Sequence, residues 1–94
     1  MSHLEQLSNL KEGEKGTIRH FTNDQMASKL LSMGVLPGKC MRLMRRVPFG
    51  GGLYIKIDNN NIALREDEAR NIVLEMEEKF EAYLWIQTRI LPSL

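Results

Sequence analysis

The sequence contains a single cysteine, Cys40, which excludes an internal disulfide bond. A lone thiol is typical of proteins that work in a reducing cytosol. Aromatic side chains are also scarce, with one tryptophan, two tyrosines and three phenylalanines among 94 residues. Binders of single-stranded nucleic acid generally stack bases on aromatic side chains. We therefore expect no nucleic-acid partner.

Long apolar runs and a strong excess of one charge are missing as well. No segment approaches the roughly 20 apolar residues that span a bilayer, and the first residues lack the basic start and apolar run of a secretory signal. The formal net charge is +1, so the chain has little overall attraction to nucleic acid or acidic lipid. These features predict one globular domain in the cytoplasm, with membrane contact only through another protein.

What the sequence does contain is a corner between a helix and a strand, within residues 30–52. Gly34 stands where a helix ends in a left-handed residue, a conformation that glycine adopts without a Cβ clash. We expect Val35 to pack on Leu30 in a Schellman motif. Pro37 and Gly38 fit the two central positions of a type II turn. The chain should therefore reverse sharply here and enter a strand.

Turn residues divide the rest of the chain into short elements. Thr22 and Gln25 have the spacing of a capping box and predict the start of a short amphipathic helix. Leu4, Leu7 and Leu10 recur every three residues, as in a helical turn or a lead-in that packs on the core. Strands are predicted at 16–21, 40–47, 53–57, 62–64 and 72–76, and a further helical turn at 65–71. This pattern predicts a mainly β protein with a short helix, a small antiparallel barrel of about five strands.

The strand predicted at 40–47 carries a cluster of basic residues. Strict alternation places Arg45 on the apolar face of this strand and Arg46 on the opposite face. Lys39 and Arg42 complete the cluster. Two interpretations remain open, a solvated strand face or a docking patch for an acidic protein surface.

Few residues have the pattern of a chemical site. His3, His20 and Cys40 are the only soft metal ligands, and no two of them have the spacing of a metal site. The glycines at 50–52 are followed by a strand rather than by the helix start of a phosphate-binding loop, so they predict a flexible hairpin. The acidic residues at 66–68 suit the first turn of a helix because of its dipole. We expect a protein without catalytic site, metal or cofactor.

We expect residues 1–76 to form one domain and residues 77–94 to form a helical extension to it. Large apolar side chains in the extension recur with helical spacing, among them Phe80 and Trp85. A helix over about 75–91 would expose many of these groups, which is unfavourable in a monomer. We therefore expect the helix to dock on the barrel or on a second copy in a homodimer. Contact with a partner protein or the membrane surface is the alternative.

Three segments occur in the order found in one known family. They are LSNLKEGEKGTI at 7–18, LLSMGVLPG at 30–38, and the stretch from RRVPFGGG to EARNI at 45–72. Over residues 7–75 the sequence resembles the ferrous iron transport protein A (FeoA) domain. The resemblance implies an SH3-like barrel. The chain departs from the family pattern in its extension and in its three consecutive glycines.

The resemblance also implies a function. It is that of a small accessory protein of bacterial ferrous iron uptake, which binds and modulates a ferrous iron transporter with a cytosolic GTP-binding domain. We expect the contact to involve exposed turn, basic and extension residues: Leu36, Pro37, Arg45, Arg46, Phe49, Phe80 and Trp85. A stand-alone SH3-like module that binds nucleic acid or senses metal is the alternative, since related barrels occur in metal-dependent repressors.

Overall fold

The computed structural model describes residues 2–77, which form one antiparallel sheet of six strands in the order β1-β6-β2-β3-β4-β5. The strands are β1 (Ser2–Gln6), β2 (Lys15–Phe21), β3 (Cys40–Val47), β4 (Gly52–Ile57), β5 (Asn60–Leu64) and β6 (Ile72–Glu77). The helices are α1 (Asp24–Ser32) and α2 (Glu66–Arg70), and a 3-10 turn covers Leu7–Asn9. The five strands and the second helical turn predicted from the sequence are thereby confirmed. Neither of the helices found in residues 2–77 has the length and hydrophobicity of a membrane span.

The sheet surrounds a single apolar core. The buried side chains come from strands β2 to β6, both helices and the 3-10 turn, and include Leu7, Ile18, Leu30, Leu43, Ile55, Leu64, Ala69 and Leu74. Helix α2 contacts β4, β6 and the 3-10 turn. Because β4 and β6 are not neighbours in the sheet, α2 closes the side that the curved sheet leaves open. The predicted SH3-like architecture, mainly β with a short helix, is confirmed.

The amino-terminal segment differs from a helical turn over its three leucines. Leu4 lies in β1, opposite Glu75 of β6, and its side chain is exposed. Leu7 and Leu10 are buried at the two ends of the 3-10 turn, as a lead-in that packs on the core. The spacing of three did not predict the strand, because Leu4 lies in a strand whose side chains alternate with a period of two, whereas Leu7 lies in a 3-10 turn.

Helix α1 begins one residue later than the capping box predicted. Its N-cap is Asn23, whose Oδ1 accepts hydrogen bonds from the backbone N–H groups of Gln25 (2.8 Å) and Met26 (3.2 Å). Thr22 instead donates from Oγ1 to Asn71 Oδ1 at 2.7 Å. The prediction of Thr22 as N-cap was wrong because this hydroxyl joins the end of β2 to the residue that follows α2.

The corner after α1 is confirmed. Gly34 has φ +96°. The Val35 N–H donates to Leu30 O (2.9 Å) and the Gly34 N–H to Leu31 O (3.1 Å), which is the complete Schellman pattern. Val35 and Leu30 are both fully buried. In the following turn Gly38 has φ +92°, so the chain enters β3 as expected.

The predicted helix over 75–91 was wrong at its start. Residues 75–77 belong to β6 because they pair with β1, from Leu4 opposite Glu75 to Ser2 opposite Glu77. The rest of that prediction lies outside the described residues, and so do Phe80, Trp85 and the homodimer contact.

Glu68 in α2 is the only charged residue among residues 2–77 that is buried. Its Oε1 accepts a hydrogen bond from the Arg65 N–H at 2.8 Å, and Lys29 of α1 forms an ion pair with Oε2. Burial raises the pKa of Glu68, but the Arg65 N–H and Lys29 outweigh this effect and hold the pKa below its ordinary value. The ionised carboxylate therefore links the two helices.

We expect Gly34→Ala to lower the free energy of unfolding by about 1 kcal/mol. The cost comes from the left-handed backbone alone, since a Cβ at this position would meet nothing closer than Ile62 Cδ1 at 3.9 Å. Urea unfolding measures it. Ser28→Ala, on an exposed position of α1, should be neutral or slightly stabilising because alanine is the better helix former. An unchanged midpoint for Gly34→Ala would contradict the prediction.

We expect Glu68→Gln to destabilise the protein by about 1 kcal/mol at neutral pH, because the amide keeps the hydrogen bond from Arg65 and loses the ion pair. A lowered pKa means that the carboxylate stabilises the fold above its unfolded-state pKa, and this contribution disappears as the pH falls through the folded-state value. Unfolding curves of the two proteins should therefore converge in acid.

The matched control is Asp67→Asn, which changes an exposed carboxylate in the same turn and should cost less than about 0.5 kcal/mol. A deficit of Glu68→Gln that is equally large at acid and neutral pH would show that the ion pair is not its cause.

Candidate interaction surfaces

The hairpin between β3 and β4 presents a fully exposed aromatic side chain. Phe49 has a relative exposure of 104% and a φ of +60°. A positive φ is uncommon outside glycine, and bulky residues are rarely found there. A phenylalanine in this position has both its backbone and its side chain in unfavourable surroundings. No packing within residues 2–77 compensates for this, which makes Phe49 a candidate contact residue.

Gly52 determines how closely this hairpin approaches the neighbouring strand. Its φ is +102°, and a Cβ there would lie 2.5 Å from the backbone oxygen of Leu64 in β5. Any side chain would therefore force β4 and β5 apart at their shared end. Glycine is therefore required at position 52. It allows β4 to begin close to β5, so that the hairpin tip with Phe49 stays at the end of the sheet.

A β-bulge at Met44 sets the direction of the two adjacent arginines. The register between β3 and β4 shifts between Leu43 and Arg45, so that Arg45 lies opposite Tyr54 and Arg46 lies opposite Leu53. Leu53 is buried and Tyr54 is exposed. Arg46 is therefore on the inner side of the strand and Arg45 on the outer side. The predicted faces were wrong because the extra residue in the bulge inverts the alternation.

Arg46 uses its donors within the protein. Its Nη2 donates to the backbone oxygens of Ser8 (2.7 Å) and Leu10 (3.0 Å), and its Nη1 pairs with Glu66 Oε1 at 3.2 Å. The backbone N–H of Arg46 also donates to Glu12 Oε2 at 2.8 Å. These bonds connect the amino-terminal lead-in and α2 to β3, so the guanidinium of Arg46 has a structural role.

The predicted contact residues lie at opposite ends of β3. Leu36 and Pro37 precede the strand and are exposed, whereas Arg45 and Phe49 lie at and beyond its other end. From Cys40 to Arg45, β3 extends over roughly 17 Å at the usual rise of a strand, and this length separates the two groups. The structure thus brings Arg45 near Phe49 and leaves Leu36 and Pro37 apart.

The three soft metal ligands are distributed over three strands. His3 lies opposite Met76, His20 opposite Val73, and Cys40 opposite Thr17. Within residues 2–77, no three histidine, cysteine, aspartate or glutamate side chains are placed so as to hold a metal ion.

Sequence spacing did not reveal a second basic feature, the neighbourhood of Arg42. Lys15 of β2 and Lys56 of β4 lie directly opposite Arg42, one on each side. The three residues are far apart in the chain, so only the pairing of the strands shows that they are neighbours. The basic cluster predicted from consecutive residues is therefore rearranged: Arg46 leaves it, and Lys15 and Lys56 join the outer face.

Comparison with known proteins identifies relatives of this fold. The family model described as FeoA domain matches residues 5–76. A comparison with curated proteins gives no significant match.

Two of the similar solved structures are of iron-transport proteins. Stenotrophomonas maltophilia FeoA, solved with zinc and described as an SH3 domain protein and candidate ferrous iron transport activating factor, is 27% identical, with a TM-score of 0.62. The match covers 74% of this chain and 88% of that one. Iron(II) transport protein A from Clostridium thermocellum is 35% identical, with a TM-score of 0.66, over 74% of this chain and 44% of that one.

A manganese-dependent transcriptional repressor shares the fold at a TM-score of 0.73 and 23% identity. The match covers 82% of this chain and 44% of the repressor. At this identity the likeness concerns the fold, and it shows that the same barrel occurs as one part of a larger regulatory protein.

The adjacent arginines provide a matched test of the bulge. We expect Arg46→Lys to lower the free energy of unfolding by about 1–2 kcal/mol, because an ammonium cannot reach two carbonyls and a carboxylate with the geometry of a guanidinium. Arg45→Lys should remain within about 0.5 kcal/mol of the parent, since Arg45 is exposed and forms no ion pair within residues 2–77. Chemical unfolding of both variants measures the difference. The reverse order of stabilities would contradict the assignment of faces.

Proposed function

The chain belongs to the FeoA domain family, and on that premise we propose that it is an accessory protein of bacterial ferrous iron uptake. It binds the cytosolic GTP-binding part of a ferrous iron transporter and tunes the activity of that transporter. This role places it in the cytoplasm at the inner face of the membrane, which it contacts through the transporter. Its action is a protein contact and requires no catalytic group, metal or cofactor of its own.

The observation that carries the proposal is the exposed side chain of Phe49. Strained backbone positions persist where the surrounding structure enforces them, and they cluster at functional sites. Large aromatic side chains are enriched among the residues that contribute most to binding, because they bury a large area with little loss of conformational freedom. A phenylalanine at the tip of a hairpin can enter a pocket of a partner without any rearrangement of the barrel.

Arg45 extends this contact along the outer face of β3. It is exposed and lies opposite Tyr54, whose side chain is also exposed. An arginine beside an aromatic anchor suits a carboxylate at the rim of the partner's pocket. Leu36 and Pro37 join the same contact only where the partner covers the whole length of β3. Phe80 and Trp85 of the extension remain proposed contacts, either with the transporter or with a second copy of the chain.

The alternative role in binding nucleic acid or sensing metal has weaker support. It rests on the similarity to the manganese-dependent repressor, which at 23% identity shows a common fold and no common site. Folds of this kind are shared by proteins with unrelated functions.

The test is Phe49→Asn, measured as binding to the purified GTP-binding domain of the ferrous iron transporter of the same organism. Asparagine tolerates the left-handed backbone better than phenylalanine, so the melting temperature should stay the same or rise. Loss of an aromatic anchor should weaken binding by at least about tenfold. GTP hydrolysis by the transporter domain, followed in the same titration, should lose its response to the protein.

Leu31→Ala is the control, because Leu31 is 44% exposed on α1, away from the hairpin. It should bind like the parent. Failure of the parent protein to bind the domain or to change its GTP hydrolysis would overturn the proposed function, whereas undiminished binding of Phe49→Asn would show that the anchor lies elsewhere.

A further inference from the structure

Three cationic side chains form a row across the outer face of the sheet. Lys15 of β2, Arg42 of β3 and Lys56 of β4 are paired directly across neighbouring strands, and all three are exposed. Side chains in such pairs have Cβ atoms about 5 Å apart, and like charges directly opposite each other are destabilising. The row therefore has an electrostatic cost for the folded protein.

No member of this row forms an ion pair within residues 2–77, although Glu75 and Glu77 line a neighbouring pocket with Lys15. The ion pairs of residues 2–77 join Arg19 to Glu75, Lys29 to Glu68, Lys39 to Asp58 and Arg46 to Glu66. None of them includes a member of the row. Arg42 is held in place by a hydrogen bond from Nη1 to the backbone oxygen of Gly13 at 2.7 Å. Its other guanidinium N–H groups form no hydrogen bond within the described residues and can serve a ligand.

The row lines a shallow groove of about 440 Å³. Beside the three cations, its walls include the exposed side chains of Met44 and Cys40. Asp58, which also lines the groove, is occupied by Lys39 at 3.2 Å. The groove thus combines an excess of positive charge with an accessible apolar side chain.

We propose that this groove binds an acidic segment of a partner protein, with carboxylates on the cationic row and an apolar side chain against Met44. Alternate residues of an extended peptide are about 7 Å apart, and the ends of a row across three strands are about 10 Å apart. The long side chains of the row can therefore reach two successive carboxylates of such a peptide. A nucleic acid is less suitable, because the groove has no aromatic side chain for base stacking and the chain has a net charge of only +1. A metal ion is also less suitable, because no three histidine, cysteine, aspartate or glutamate side chains of residues 2–77 are placed to hold one.

This inference goes beyond the contact at Phe49, because the groove extends from the other end of β3 as far as Met44 and its occupant is defined by charge. The two proposed binding surfaces can be tested independently. A result that contradicts one of them does not decide the other.

The test uses the full chain and a fluorescent glutamate-rich peptide that contains one leucine. The same peptide with glutamine in place of glutamate, and a short oligothymidylate, serve as comparison ligands. Binding is followed by fluorescence polarisation at low and at physiological salt, and the site is located by amide chemical shifts in NMR spectra. We expect the acidic peptide alone to bind, with salt-dependent affinity and with its largest shifts at Lys15, Arg42 and Lys56.

The variant is Lys15→Gln combined with Lys56→Gln, which leaves the anchored Arg42 unchanged. It should weaken binding of the acidic peptide by at least about fivefold while the melting temperature stays the same or rises, since repulsion within the row is relieved. A control with the same change in net charge is Lys11→Gln combined with Arg70→Gln, two exposed cations outside the groove. This control should bind within about twofold of the parent.

Three results would overturn the proposal. They are absence of peptide binding at low salt, chemical shifts confined to another face, and equal weakening by the control variant. Tighter binding of the oligothymidylate than of the peptide would also overturn it, and would assign the row to nucleic acid.

Discussion

The extra residue at Met44 in β3 is the constraint on which the arrangement of the barrel depends. By inverting the alternation in the middle of a strand that pairs on both sides, the bulge turns Arg46 inward and Arg45 outward. Arg46 can then reach the carbonyls of the amino-terminal lead-in and the carboxylate of Glu66. Without the inversion, the guanidinium that ties α2 and the lead-in to the sheet would face solvent.

Two kinds of charged or exposed side chain can be distinguished in the structure: those paired within the fold and those that face solvent. Arg46 and the buried Glu68 form ion pairs within the fold, and these pairs join segments that are distant in the chain. The row of Lys15, Arg42 and Lys56 and the exposed Phe49 have the opposite character. The row has an electrostatic cost that no ion pair within the described residues offsets, and the side chain of Phe49 is fully exposed. Features of this kind are expected where a surface is used for binding, because the partner supplies the missing interactions.

The comparisons relate the fold to function at two levels. Membership of the FeoA domain family connects the chain with ferrous iron transport, and the similarity to part of a manganese-dependent repressor shows that the barrel is also used in a different context. A small barrel of this type is therefore a framework, and its function depends on what its outer face presents. In this chain an exposed phenylalanine follows one end of β3, and a cationic groove begins at the other end of the strand.

Local structure follows from the sequence alone where the backbone geometry requires one residue type. Gly34 with its positive φ, the turn at Pro37 and Gly38, and the helical turn of α2 were predicted because each depends on neighbours within a few residues. Phe49 was also named from the sequence, as a contact residue, but its complete exposure could not be known.

The remaining features depend on contacts between residues that are distant in the chain. Asn71 takes the hydroxyl of Thr22, so the cap moves to Asn23. The pairing of β1 with β6 makes Leu4 part of a strand, although the leucine spacing predicted a helical turn or a lead-in. Strand register, which no local pattern specifies, sets Lys15 and Lys56 beside Arg42.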